Sequence, residues 1–104
     1  SLVLSVIREI KEETGLDIKN VKLCGVKEWF EEDGTRAMVF FYRTGDYSGT
    51  LRSSREGEVF WAPLDKLDEY PLASDFERNL ELFVSEKISE LFYDPAEDHV
   101  LRSY

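Results

Sequence analysis

Hydrophobic residues recur along the chain with two different periods. In "SLVLSVIREIKEET", residues 1–14, Leu2, Val3, Val6, Ile7 and Ile10 keep the three-and-four spacing of one helical face. Gly15 then fits the left-handed position that commonly ends a helix. Val21 to Phe30 and Thr35 to Arg43 read as two strands around "EEDG", where Asp33-Gly34 is a hairpin signal. "VFFY" at 39–42 is apolar on both faces, which predicts a central, covered strand. The Gly-, Ser- and Thr-rich stretch 44–57 reads as a loop, with room for a short strand near Leu51. "EVFWAPL", 58–64, reads as a third clear strand stopped by Pro63, and a helical turn is expected around "LDKLDEY". A last helix, capped by Ser74 or Asp75, is expected from Phe76 to Phe92, where Phe76, Leu80, Phe83, Val84, Ile88 and Leu91 recur at helical spacing. Helix, strands, helix in that order predicts a mixed α/β domain with a largely antiparallel or mixed sheet.

The first helix carries an oddity. At about 100° per residue, with Leu2 at zero, Val6, Ile10, Val3 and Ile7 fall near ~40°, ~80°, ~100° and ~140°, forming the core stripe. Glu9, Glu12 and Glu13 fall near ~340°, ~280° and ~20°, so Glu13 lies within the edge of the apolar stripe, while Lys11 points to the far side near ~180°. The ordinary explanation for glutamates on a helix is a solvated face. Against it, Glu9 with Glu13 and Glu9 with Glu12 are like-charge neighbours, and all three sit where the helix dipole disfavours negative charge. Each penalty is only about 0.3–1 kcal/mol, but all share a sign, and no nearby cation is evident to offset them. A hard divalent cation reverses that sign, because Mg²⁺ and Mn²⁺ take carboxylate oxygens and this spacing can converge three of them.

Composition narrows the setting. The 104 residues fit one domain, 1–104, and 42% of them are apolar, enough for a core. A net charge of −9 argues against binding polymeric nucleic acid, though not against a small phosphate ligand whose charge a metal neutralises. The single cysteine, Cys24, cannot form an internal disulfide, so a reducing cytoplasm is expected. No apolar run approaches membrane-spanning length. The chain has no initiator Met and opens on what already looks like helix interior, so preceding sequence, including strands of the sheet, is expected to be missing.

The residues of the acidic helix end are recognisable. "REIKEETGL", Arg8 to Leu16, resembles the second half of the Nudix box, G-x5-E-x7-R-E-U-x-E-E-x-G-U with U apolar. Arg8, Glu9, Ile10, Glu12, Glu13, Gly15 and Leu16 match in register, and the box's first Glu falls immediately before Ser1. "EGEVFWAPLDKL" is similar to the family's late strand and following turn. The resemblance covers essentially the whole chain, as the C-terminal two-thirds of a Nudix-type α/β/α sandwich, and looks most like the MutT-like branch.

That resemblance implies a hydrolase acting on a diphosphate linkage, with Mg²⁺ or Mn²⁺ held by Glu9, Glu12 and Glu13. It implies that Arg8 pairs with a box carboxylate and positions it. Glu56, in the loop "SSREGEVF", matches the loop acid that some relatives use as general base, with Glu58 and Glu9 as rivals; the plain alternative is a solvated loop carboxylate. The expected substrate is a small nucleotide, an oxidised purine triphosphate such as 8-oxo-dGTP among the candidates, cleaved by a monomer or homodimer. Trp29, Phe41, Trp61 and Phe83 can stack on a base, although core packing is the commoner fate of such rings. His99 reads as a surface residue. The competing reading is a Nudix-fold nucleotide sensor or interaction module without turnover.

Overall fold

Ser1 starts the first helix by accepting the Leu4 amide at 3.2 Å through its hydroxyl, an N-cap that satisfies one of the orphan donors of the opening turn. In the computed structural model, which describes all 104 residues, this helix, α1, spans Leu2–Thr14. The chain continues through β1 (Asp17–Lys19), β2 (Lys22–Phe30), β3 (Arg36–Arg43) and β4 (Asp46–Ser48). A 3₁₀ turn at Leu64–Glu69, α2 (Phe76–Val84), β5 (Glu90–Asp94) and β6 (Val100–Ser103) complete it. The class is the expected mixed α/β, with a mixed sheet. No helix is long and apolar enough to cross a membrane.

The chain forms two units, Ser1–Lys22 with Thr44–Ala73, and Leu23–Arg43 with Ser74–Tyr104. In the first, β1 and β4 pair antiparallel, with Ile18 opposite Tyr47. Gly15, at φ 81°, ends α1 and donates its amide to Lys11 O at 3.0 Å. A side chain there is excluded twice, by the left-handed backbone and by Arg52 and the Thr50 carbonyl, which a Cβ would approach to 2.7–2.9 Å. Val6, Ile7 and Ile10 of the expected core stripe are half-buried, whereas Leu2 and Val3 are exposed.

In the second unit the strand order is β3-β2-β5-β6. The hairpin between β2 and β3 closes as the Asp-Gly signal predicts, with Glu31 N donating to Thr35 O at 2.8 Å and Asp33 Oδ1 accepting the Thr35 amide. β2 and β5 run parallel, Lys27 opposite Leu91, and such a pair needs a crossover, which α2 supplies. β6 then pairs antiparallel to β5. Leu82 of α2 and Leu91 of β5 are the fully buried side chains of this unit. Gly25 lets the helix close on β2, since a Cβ there would stand 2.7 Å from Leu82 Cδ2.

Three expectations are overturned. The last helix stops at Val84, not Phe92: Ser85 turns extended, and Leu91 is buried in a strand. "ELFYD" is a short apolar run that helical and strand periods fit equally well, and tertiary pairing decides it. The 58–64 stretch forms no strand. It finds no ladder partner; Phe60 stacks on Tyr70 at 5.3 Å and Trp61 on Tyr47 at 5.1 Å instead. β3, with its "VFFY", lies at the end of the strand order, not in its centre, and Met38, Val39 and Phe40 remain exposed. The short strand awaited near Leu51 forms earlier, as β4, and β1 and β6 are too short to have announced themselves.

Candidate active site

The end of α1 and the loop 50–59 build one carboxylate cluster inside the first unit. The loop is fastened to the helix by Arg52 N, which donates to Thr14 O at 2.8 Å. It then folds back in a tight reversal, with Ser54 and Gly57 exchanging backbone hydrogen bonds at 3.2 Å and Gly57 at φ 146°. Ser54 Oγ accepts the Glu56 amide and Ser53 Oγ the Val59 amide, each at 3.2 Å. Glu56 is thereby presented to the helix, and a cavity of about 190 Å³ opens between them, lined by Glu13, Ser54, Glu56, Gly57, Glu58 and Val59.

Glu13 and Glu56 meet within hydrogen-bond reach. The Glu13 carboxyl is pushed up from its ordinary value, first by that hydrogen bond and the Glu56 charge, then by burial and by Glu9 and Glu12. The nearby Glu56 charge thus disfavours ionisation of Glu13. Lys11 does not relieve them; its ammonium reaches Asp17 Oδ2 at 3.0 Å and the Gly15 carbonyl at 3.4 Å. Arg8 Nε does lie 3.8 Å from Glu12 Oε1, one helical turn away, so one cation stands beside the glutamates where none was expected. Both side chains are about two-thirds exposed, and such a pair contributes at most a few tenths of a kcal/mol.

Glu9 and Glu12 stay on the exposed face, and no group of three His, Cys, Asp or Glu side chains converges on one point. The donor set still fits a hard divalent cation: every donor is a carboxylate oxygen, and the Glu13–Glu56 contact is repulsive without one. Mg²⁺ commonly takes only one or two carboxylates and completes its shell with water and phosphate oxygens.

The second unit holds a separate cavity of about 400 Å³, lined by Lys27, Trp29, Phe30, Asp75, Tyr93 and His99. Lys27, in the middle of β2, is buried; its ammonium donates to Asp75 Oδ2 at 2.5 Å and Asn79 Oδ1 at 3.1 Å, and lies 5.2 Å from the centre of the Tyr93 ring. The Tyr93 hydroxyl also donates to Asp75 Oδ2. Lys27 and then Tyr93 hold the Asp75 carboxyl below the usual range, while burial and Asp75 push the Tyr93 hydroxyl up to about 12. Asp75 stands at the N-cap of α2 but makes no capping bond, its carboxylate being committed to this network.

Of the rings proposed to stack on a base, Trp29 lines this cavity; Phe41 packs edge-on to Phe83 at 5.2 Å, and Trp61 lies on Tyr47. His99 is exposed, as expected, and borders the same cavity. Lys27, Asn79 and Tyr93 were not singled out by sequence, and Asp75 only as a helix cap. The available signal was a lysine centred in the apolar strand "LCGVKEWF", a position that demands a buried partner.

With this geometry in view, comparison with known proteins gives the class: a model of the NUDIX domain matches residues 2–83, and the chain belongs to the Nudix family. One relative is the uncharacterized Nudix hydrolase YvcI of Bacillus subtilis (strain 168), 35% identical over 74 residues, which are 66% of this chain and 47% of that protein. The chain thus spans about half the length of this curated relative. Among solved structures, the crystal structure of a mutator MutT protein from Bacillus halodurans superposes with a TM-score of 0.73 at 28% identity, over 97% of this chain and 70% of that one.

Proposed function

We propose that the protein is a divalent-metal-dependent pyrophosphohydrolase that cleaves a nucleoside triphosphate or another nucleoside diphosphate derivative. The observation that carries this reading is the Glu13–Glu56 contact, two carboxyls drawn together beside a small cavity at the end of the box-like helix. Folding alone gives no reason for that contact, whereas a phosphate ligand and its counter-cation do. Glu13 and Glu56, with Glu9 and Glu12 adding charge from the same helix, would hold Mg²⁺ or Mn²⁺. Bound there, the cation supplies Lewis-acid polarisation of the phosphoryl oxygens.

The chain's own part is positional and proton-moving. Water attacks one phosphorus of the anhydride and the bridging P–O bond breaks, leaving two phosphate products. A carboxylate must take the proton from that water, and Glu56, mounted on the Ser54–Gly57 reversal, is our first choice, with Glu58 and Glu9 behind it. Arg8 holds Glu12 as a positioning residue. Likeness to a MutT protein makes an oxidised purine nucleotide such as 8-oxo-dGTP the first substrate to try. A single cysteine and the net charge of −9 suit a cytoplasmic enzyme of small nucleotides, not of polymeric nucleic acid.

The rival reading, a nucleotide-binding module without turnover, draws on the exposed Glu9 and Glu12, which do not converge with Glu13. Phosphate and pyrophosphate release from a panel of canonical and 8-oxo dNTPs, ADP-ribose and dinucleoside polyphosphates, with and without Mg²⁺, separates the two. Metal-dependent turnover that Glu12→Gln and Glu56→Gln both lose supports the hydrolase. Nucleotide binding without turnover by the folded wild type moves the assignment to the module.

A further inference from the structure

The loop that carries Glu56 also carries a cation that the fold does not use. Ser54 and Gly57 exchange backbone hydrogen bonds at 3.2 Å, so residues 55 and 56 form the tip of the reversal. From that tip Glu56 reaches Glu13. Arg55, its neighbour, is exposed and enters no hydrogen bond or ion pair. That is unexpected in these surroundings, because opposite charges this near in the chain usually pair. Glu13, Glu56 and Glu58 line the cavity, and Glu9 and Glu12 act on Glu13 from α1. The lining itself contains no cation.

The other basic side chains of α1 and the loop are committed elsewhere. Arg8 stands 3.8 Å from Glu12 Oε1, Lys11 bonds Asp17 Oδ2 at 3.0 Å, and Arg52 packs over Gly15. Arg55 alone keeps its guanidinium uncommitted, on a residue flanked by two that line the cavity, Ser54 and Glu56. Consecutive Cα atoms stand about 3.8 Å apart, so Arg55 remains within a side chain's reach of whatever Glu56 meets.

We infer that Arg55 binds the terminal phosphate of the substrate and makes the site prefer a nucleoside triphosphate to a nucleoside diphosphate derivative such as ADP-ribose. A divalent cation neutralises only part of the charge of a triphosphate, and the terminal phosphate carries the largest share. A guanidinium suits that remainder, being planar, always charged and able to donate two parallel hydrogen bonds to one phosphate. A diphosphate esterified at both ends has no terminal phosphate and gains nothing from this contact. The inference rests on the hydrolase reading above and names which of its two substrate classes the loop selects.

Non-hydrolysable methylene-bridged analogues of tripolyphosphate and pyrophosphate test this without a base and without turnover. Calorimetric titration of the full chain in saturating Mg²⁺ gives an affinity for each, and the ratio of the two is the readout. Wild type is expected to favour the tripolyphosphate analogue. Arg55→Ala should lower that preference ~10-fold or more, the size of one charge-assisted contact. Arg55→Lys keeps the charge without the planar fork and should fall between them. Lys66→Ala deletes an exposed cation of the same unit outside the loop and should keep the wild-type ratio. No preference in wild type, a ratio unchanged in Arg55→Ala, or one lowered equally in Lys66→Ala overturns the inference and leaves Arg55 a solvated surface residue. Binding of neither analogue by wild type sinks the hydrolase reading, and this inference with it. In turnover, the Arg55→Ala loss should fall on KM for a nucleoside triphosphate relative to ADP-ribose. An equal fall in kcat for both substrates would make Arg55 a support for Glu56 and overturn its binding role, while leaving the hydrolase reading intact.

Discussion

Replacing Lys27 by Met is the sharpest probe of how the second unit is held. The methionine keeps the aliphatic bulk within β2 and deletes the charge. Lost with it are the 2.5 Å bond to Asp75, the 3.1 Å bond to Asn79 and the ammonium–ring contact with Tyr93. Breaking a fully buried ion pair costs roughly 3–5 kcal/mol, because a charge is left without its partner. Here the Lys27 side chain is 10% exposed but that of Asp75 is 28% exposed, so water and the Tyr93 hydroxyl ease the stranded carboxylate. A cost of about 2–3 kcal/mol follows. At an unfolding entropy of about 2.1 cal/mol/K per residue, that lowers the melting temperature by roughly 10 °C.

The pH dependence identifies the cause. Because Asp75 is held below its ordinary value by Lys27, its contribution is complete at neutral pH, above the unfolded carboxylate's value. It is lost as pH falls through that value toward the lower folded one. The gap between wild type and Lys27→Met, followed by thermal melts, should therefore close below about pH 4. A neutral-pH shift under ~2 °C, or a gap unchanged in acid, would refute the reasoning.

Gly15→Ala meets both a left-handed backbone and atoms 2.7–2.9 Å away, so it should destabilise by more than ~1 kcal/mol in urea unfolding. It should also depress turnover by shifting the loop that carries Glu56. Leu91→Ala empties a fully buried position and is expected to cost about 2–5 kcal/mol by the same assay. The Glu90 carboxyl is raised above its usual value, chiefly by burial and then by Glu28, to which Arg36 is bound at 2.5 Å. That contribution is intact below the ordinary carboxylate value and lost as pH rises through the folded one, so Glu90→Gln should melt above wild type at pH 7 and match it near pH 4.

The fold was legible where local signals act alone. The first helix, its glycine stop and the Asp-Gly hairpin each depend on residues within one turn of each other, and all three formed. Sequence failed where pairing at a distance decides. The second helix was extended through Leu91 because periodicity cannot tell a buried five-residue strand from another helical turn. Trp61 and its neighbours have strand-forming side chains but no partner strand in the ladder. At the site, the motif placed Glu13 and flagged Glu56, which structure brings within hydrogen-bond reach. The Lys27 network stayed hidden because its members lie up to 66 residues apart and no motif links them.

The two charge clusters differ in a way that bears on function. Around Lys27 the charges are balanced: one ammonium faces one carboxylate, with the Asn79 amide oxygen and the Tyr93 hydroxyl bonded to them. No buried side-chain nitrogen or oxygen in the protein lacks a hydrogen-bond partner, as a chain selected to fold requires. The end of α1 breaks that economy. Glu9, Glu12 and Glu56 all act on Glu13 with the same sign, and the nearest lysine is engaged elsewhere. Folding could have relieved this strain with one basic residue in the loop, and Arg52 and Arg55 lie close by in sequence. Arg52 instead packs over Gly15, fixing the loop and leaving the carboxylates facing one another. That a protein which balances its buried charges keeps this cluster negative supports the proposed site, whose counter-charge would arrive with a ligand.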